Sequence, residues 1–246
     1  MPLLIALQFL TRLPVSLPRL PVPEESGRSL LWYPLVGLLL GAALLVVKWL
    51  LGDVSIWLQA ALLLTLWVWL SGGLHLDGLA DTADAWVGGY GDRERTLAIM
   101  KDPTCGPIGV ISLVLVLLIK FAALVALLEA GQWGALLLAP WLGRWVLPLL
   151  LFTTSYVRLG GLGDVLARHM PRRSLPLLLC LHALGMLLFG WVGLMALMVA
   201  LLVVWVVRHY LCERLGGTTG DTAGALVELV ETAALIACAV VAGTAA

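Results

Sequence analysis

The chain has 246 residues, with 15 basic and 15 acidic side chains; 61% of its residues are hydrophobic and only 12% charged, and its mean hydropathy is +1.03. A soluble protein of this size cannot cover itself with a wettable shell from such a composition. Disorder, a secreted disulfide scaffold and nucleic-acid binding are excluded with it. What remains is a polytopic membrane protein, an all-α helix bundle folded as a single membrane-embedded domain over 1–246.

The first seventeen residues form a short apolar piece ending in Thr11-Arg12-Leu13-Pro14, suited to an interfacial or re-entrant helix. It lacks the layout of a cleaved signal peptide, because Pro14, Pro18, Pro21 and Pro23 follow without a small-residue cleavage site. Apolar windows then predict spans at 30–51, 54–70, 108–128, 133–157, 175–190, 191–207 and 223–243, about seven in all with a range of six to eight. Cys105, Cys180, Cys212 and Cys238 have no CxxC spacing and read as small hydrophobes in a reducing compartment.

Charge sorts the connections. Twelve of the fifteen cations fall in the segments 12–28, 71–107, 158–174 and 208–222, while the turns at 52–53, 129–132 and near 190 carry none. The positive-inside rule assigns the basic segments, and with them the motif loops, to the cytoplasmic face, with the N-terminus inside and the C-terminus outside. The three remaining cations lie within spans. Lys48 and Lys120 read as snorkelling side chains, whereas Arg144 needs a partner: Glu228, Glu231 or a substrate phosphate.

The richest segment is Ser71-Gly72-Gly73-Leu74-His75-Leu76-Asp77-Gly78-Leu79-Ala80-Asp81-Thr82-Ala83-Asp84. On a helix its aspartates, spaced i, i+4, i+7, share a roughly 60° arc, and Gly78, Ala80 and Ala83 between them admit a close neighbour. Three like charges on one face repel, and a hard cation such as Mg²⁺ would relieve that; the bland alternative is a solvated helix start favoured by the dipole. His75 is a donor to the ligands, a base, or a polar loop residue. Downstream, Arg93, Arg95 and Lys101 can hold phosphates or simply carry the topological signal, and Asp102 can join the metal or pair with a local cation. Before the last span, Gly216-Gly217-Thr218-Thr219-Gly220-Asp221 offers an anion-binding turn at Gly220. Asp221, Glu228 and Glu231 follow on one helix face, and charge this deep in an apolar helix is a functional candidate.

Clustered carboxylates and cations on one membrane face suit a metal-assisted phosphoryl- or nucleotidyl-type transfer. A CDP-alcohol phosphotransferase of phospholipid synthesis and a cation-coupled transporter are the competing readings. The first should spread four aspartates over a longer stretch, and the second should line a path through the midplane.

The motif from Gly72 to Asp84 resembles the signature of the cobalamin synthase family, also called adenosylcobinamide-GDP ribazoletransferases. So do Leu7–Pro14, Tyr33-Pro34-Leu35-Val36-Gly37, Ile99-Met100-Lys101-Asp102, Gly161-Leu162-Gly163 and Gly220–Ala225 with Glu228 and Glu231. The resemblance implies a Mg²⁺-dependent inner-membrane enzyme joining adenosylcobinamide-GDP to α-ribazole or its 5′-phosphate and releasing GMP. Asp77, Asp81 and Asp84, with Asp221 and Glu228, would hold the metal, and Glu231 is a further candidate. Arg93, Arg95, Lys101, Arg144 and Gly220 would hold phosphates; Asp77, Asp81, Asp84 and His75 are the catalytic candidates. The small-molecule substrates and the lipid bilayer are then the partners, with a homo-oligomer left open and nucleic acid excluded. Four positions depart from the family pattern: Pro103-Thr104 replaces an expected Ser-Arg pair, Ala98 a Glu, and Gly143 a Ser.

Overall fold

A computed structural model of the protein describes residues 1–244. In chain order the helices are α1 (Pro2–Leu10), α2 (Pro23–Ser29), α3 (Tyr33–Leu51), α4 (Ile56–Ser71), α5 (Leu74–Gly88), α6 (Arg93–Ile99), α7 (Pro107–Glu129), α8 (Gly134–Thr153), α9 (Leu162–Arg168), α10 (Leu175–Met186), α11 (Gly190–Leu215) and α12 (Gly220–Thr244). The all-α expectation holds, with a single β-bridge, Tyr156 to Thr218, among the described residues. Each of the seven predicted apolar segments is helical, but the boundaries move. The first begins near Pro23, because α2 and a 3-10 turn lead directly into α3, and the sixth continues to Leu215. The segments 71–107 and 158–174, expected as loops, contain α5, α6 and α9.

Among the described residues, five helical stretches are long and apolar enough to cross a membrane, or six if the bent pair α4–α5 makes one span. The longest, Leu175–Leu215, is a hairpin. The chain reverses at Gly190, where φ is +63°, and a side chain at Gly193 would collide with the Met186 carbonyl. In an unbroken helix residues seven apart stand about 10 Å from each other. Trp145 Nε1 donates to the Leu179 carbonyl at 3.0 Å and Arg208 reaches the Thr153 carbonyl at 2.8 Å, so α10 runs antiparallel to α8 and α11 parallel to it.

The connections sort by charge in space as they do in sequence. At one end, Arg12 N–H donates to the Leu70 carbonyl and Val157 N–H to that of Thr218, while Arg93 Nε donates to the Leu215 carbonyl. The four basic segments are thereby gathered on one face. At the other end lie the turns without basic residues, with Gln59 Nε2 on the Gly52 carbonyl and Lys48 Nζ 3.4 Å from the Trp133 ring centre.

The core sits around α8, which is buried almost all round as expected of a central helix. α3 packs on it through Gly37 and Gly41, a small-xxx-small pair of the kind that lets membrane helices approach at backbone distance. A Cβ on Gly41 would stand 2.7 Å from Leu137 Cα, and one on Gly37 would meet the Pro140 carbonyl. α1 lies against the bundle, burying Ile5, Ala6 and Leu10.

Gly41→Leu is therefore expected to force α3 off α8, costing about 3 kcal/mol, the upper part of the overpacking range. Leu39→Ala, on the exposed side of the same helix, should leave the unfolding midpoint in detergent nearly unchanged. Thermal unfolding of the two purified variants checks this.

Candidate active site

The site forms where α5 crosses the start of α12. α4 ends at Gly72 in a left-handed conformation (φ +66°), and Gly73 repeats it (φ +69°). Two such residues in succession, which only glycine adopts without strain, turn the chain by 86°. The helix that follows carries the three aspartates in the expected register. Its small residues admit the predicted neighbour: a Cβ on Gly78 would lie 2.6 Å from the Asp221 carbonyl oxygen, so α12 enters against the aspartate face.

The structure divides the acidic candidates. Asp81 is acted on repulsively by Asp77, Asp221 and Asp84, with Arg158 opposing. Asp84 has a separate task. Its Oδ2 accepts the Gly106 N–H at 2.7 Å and its Oδ1 the Gly109 N–H at 2.9 Å, so both oxygens cap the first turn of α7 from across the helix pair. Gly106 and Gly109 are needed there, since a Cβ on Gly106 would fall 2.6 Å from Asp84 Oδ1. Asp102 joins neither a metal cluster nor a cation. Its Oδ1 accepts from Thr104 N and Oγ1 at 3.0 and 2.6 Å, which holds its carboxyl below the usual range and accounts locally for Pro103-Thr104.

Glu228 and Glu231 are not brought to the aspartates. They lie deeper and meet both buried cations. Lys120 Nζ stands 2.6 Å from Glu228 Oε2 and 2.6 Å from Glu231 Oε2, and Arg144 pairs with Glu231 Oε1. The expectation that Lys120 snorkels is corrected: its side chain is 3% exposed, and two carboxylates hold it inside. Gly143 is the glycine this arrangement requires, because a Cβ there would stand 2.7 Å from Glu231 Oε1. Arg144 also lies 3.4 Å, through Nη2, from His75 Nδ1. A guanidinium has only donors, so Nδ1 accepts and the ring proton resides on Nε2. That leaves His75 an Nε2–H to donate.

Three cavities open around this crossing. The central one, about 280 Å³, has an apolar wall of Phe9, Tyr33, Leu147 and Leu151 and a polar one of His75, Asp77, Arg158 and Asp221. A second, about 290 Å³, shares Arg158 and Asp221 with it and adds Lys101. A third, about 670 Å³, shares Asp77 and is closed by Arg12 and the Ser71–Gly73 turn. Gly220 borders the central cavity and Lys101 the second. Arg93 and Arg95 are directed elsewhere, Arg93 to the Leu215 carbonyl and Arg95 to the face of Tyr90. Sequence reading missed Arg158, counted there only as a topological charge. It pairs with Asp221 at 2.7 Å because the Tyr156–Thr218 bridge lays the two segments side by side, a juxtaposition across 63 residues that no local pattern signals. Among the described residues no three His, Cys, Asp or Glu side chains form a ready metal cage.

Carboxylates and cations gathered at one end of an apolar bundle, with the deeper glutamates already neutralised, define a membrane-embedded transferase site rather than a transport path. The cobalamin-5-phosphate synthase family model matches residues 2–239. Proteins named adenosylcobinamide-GDP ribazoletransferase are similar over nearly the whole length. That of Ectopseudomonas mendocina is 67% identical, covering 96% of this chain and 97% of its own. That of Pseudomonas paraeruginosa is 62% identical over the same shares, and that of Stutzerimonas stutzeri 56% identical over 99% of each. No solved structure matches the chain. The chain belongs to the cobalamin-5-phosphate synthase family, and it is a transferase of cobalamin biosynthesis.

Three outcomes follow from the partition of charges. Lys120→Met should cost about 3–5 kcal/mol, because it leaves the buried Glu228 without its cation while Glu231 keeps only Arg144; Lys48→Met, beside its ring, should cost no more than about 1 kcal/mol. Asp84→Ala should lower stability by about 1–2 kcal/mol through the lost cap on α7. Denaturation in detergent measures all three.

Proposed function

We propose that the chain joins adenosylcobinamide-GDP to α-ribazole 5′-phosphate or α-ribazole, releasing GMP, at a Mg²⁺-dependent site on the cytoplasmic face of the inner membrane. The observation that carries the reading is the Asp77–Asp81–Asp221 group at one crossing point, where Asp221 lines the cavity that also holds Lys101 and Arg158, and Asp77 lines the one that holds Arg12. The orientation rests on the basic segments collected at that end.

The donor set suits Mg²⁺. It consists of hard carboxylate oxygens, and their mutual repulsion at Asp81 is opposed by Arg158. Mg²⁺ characteristically binds through one or two carboxylates and completes its shell with water and substrate phosphates, so a preformed cage is not required. Asp81 and Asp221 would hold it, with Asp77 adjoining. Asp84, occupied by α7, and Glu228, occupied by Lys120, leave the ligand set. When bound, the ion would neutralise the pyrophosphate and the departing phosphate.

The chain's own residues do the rest. Arg158 and Lys101, on the second cavity, hold the phosphates of the nucleotide and keep GMP positioned as it departs. Asp77, on the wall between the central and third cavities, takes the proton of the ribazole hydroxyl at its carboxylate. The hydroxyl oxygen bonds to the phosphorus attached to cobinamide, and the bond from that phosphorus to the bridging oxygen breaks, so GMP leaves with that oxygen. His75, its proton on Nε2, donates within the central cavity. The apolar wall shields that cavity from bulk water, which strengthens each of these contacts.

The test is GMP release by the purified protein in liposomes supplied with adenosylcobinamide-GDP, α-ribazole 5′-phosphate and Mg²⁺. Asp81→Ala is expected to lower turnover by at least about a hundredfold, and chelation of Mg²⁺ to abolish it reversibly. Turnover untouched by chelation would remove the metal from this reading; no GMP from folded protein would remove the reaction.

A further inference from the structure

The third cavity has a cation that nothing above employs. Arg12 follows α1, and its backbone is anchored on both sides. Its N–H donates to the Leu70 carbonyl at 2.8 Å, and Thr11 Oγ1 bonds the Leu7 carbonyl at 2.7 Å while accepting the Leu13 N–H. The side chain lies across the α4–α5 turn. A Cβ at Gly72 would stand 2.5 Å from Arg12 Nε, so glycine at 72 serves the turn and makes room for this guanidinium. Yet the guanidinium has no hydrogen-bond or ion-pair partner among the described residues. Arg158, Arg93 and Arg19 at this end are engaged, with Asp221, the Leu215 carbonyl and Glu25; Arg28, Arg172 and Arg173 also lack a side-chain partner among the described residues but line none of the three cavities. Arg12 is exposed, and a backbone-anchored arginine with an unused fork on the wall of a polar cavity of about 670 Å³ has the chemistry to receive an oxyanion.

The arrangement of the cavities says which oxyanion. Displacement at phosphorus needs the entering and leaving oxygens roughly in line. With the reacting phosphorus beside Asp77 and Asp221, the two nucleotide-like substrates lie on opposite sides. The cavity beyond Asp221 holds Lys101 and Arg158, two cations for a pyrophosphate. The cavity beyond Asp77 holds Arg12 and communicates with the apolar wall of the central one through Phe9 and Leu74. The aromatic base of a ribazole, which has few hydrogen-bonding edges, suits that apolar wall better than guanine does.

We propose that Arg12 binds the 5′-phosphate of α-ribazole 5′-phosphate, making the Gln8–Leu13 segment and the Ser71–Gly73 turn a specificity subsite for the phosphorylated acceptor. The assignment rests on the reaction proposed above. It places the ribose between Arg12 and Asp77, with its hydroxyl directed at the phosphorus and the nucleotide departing on the far side.

The experiment compares α-ribazole 5′-phosphate with α-ribazole as acceptors for the wild-type protein, Arg12→Gln and Arg12→Lys in liposomes, with adenosylcobinamide-GDP and Mg²⁺ held saturating and then varied. Loss of a charge-assisted contact should raise KM for the phosphorylated acceptor about ten- to hundredfold in Arg12→Gln and far less for α-ribazole, collapsing the preference between them. Arg12→Lys should recover part of it. Inorganic phosphate should compete with α-ribazole 5′-phosphate in the wild type and do so more weakly in Arg12→Gln. Equal effects on the two acceptors, or a rise confined to KM for adenosylcobinamide-GDP, would overturn the assignment while leaving the reaction standing. A wild-type protein that folds and forms no product would overturn both.

Discussion

Two glutamates, one lysine and one arginine share the interior of this bundle, and the rest of the structure is arranged around them. Lys120 on α7, Arg144 on α8 and Glu228 and Glu231 on α12 are all nearly inaccessible, and their formal charges cancel. In an apolar medium an unpaired charge costs several kcal/mol or more, so the three helices are held in the one register that closes the set. Hydrophobicity alone could not choose that register, because lipid tails are as apolar as the leucines of the helices. The network thereby fixes how far α12 projects at the basic end, and Asp221 stands at its first turn.

From that placement the site follows by steric permission. Gly78 lets the start of α12 come to backbone distance from α5, the double-glycine turn at 72–73 lays α5 across it, and Asp84 ties the start of α7 to the same helix. The carboxylates not spent on a helix start or on the buried lysine are Asp77, Asp81 and Asp221: Asp77 and Asp221 line the central cavity, and Asp81 feels the charge of both. Arg144 links the buried network to the site through His75, so the charges that organise the fold also orient a side chain in the central cavity.

Much of this was legible beforehand. Membrane class, helical character, the grouping of basic segments at one end and the single acidic face of α5 all follow from hydropathy, charge placement and helical period. The partner of Arg144 was narrowed to three candidates, of which Glu231 is one. What misled was depth: Lys120 looked able to snorkel, and Glu228 looked free to ligate, because hydropathy reports that a residue lies within a span but not which side of the helix faces a neighbour. Asp84 likewise reads as equivalent to Asp77 and Asp81 by spacing, yet it is spent on a helix start 22 residues away.

The sequence by itself determined that the chain enters a membrane, which segments become helices, which end is basic and where one helix presents three carboxylates. These are properties of composition and of periods of a few residues, and the handedness and pitch of a helix translate them directly into geometry. Only the tertiary structure decided which charges neutralise one another and which remain for chemistry. It alone brought Arg158 to Asp221, Lys120 to both glutamates and Arg12 across Gly72. Each of these pairings joins segments distant in the chain, and each depends on helix register and backbone approach, which packing sets and no local pattern encodes.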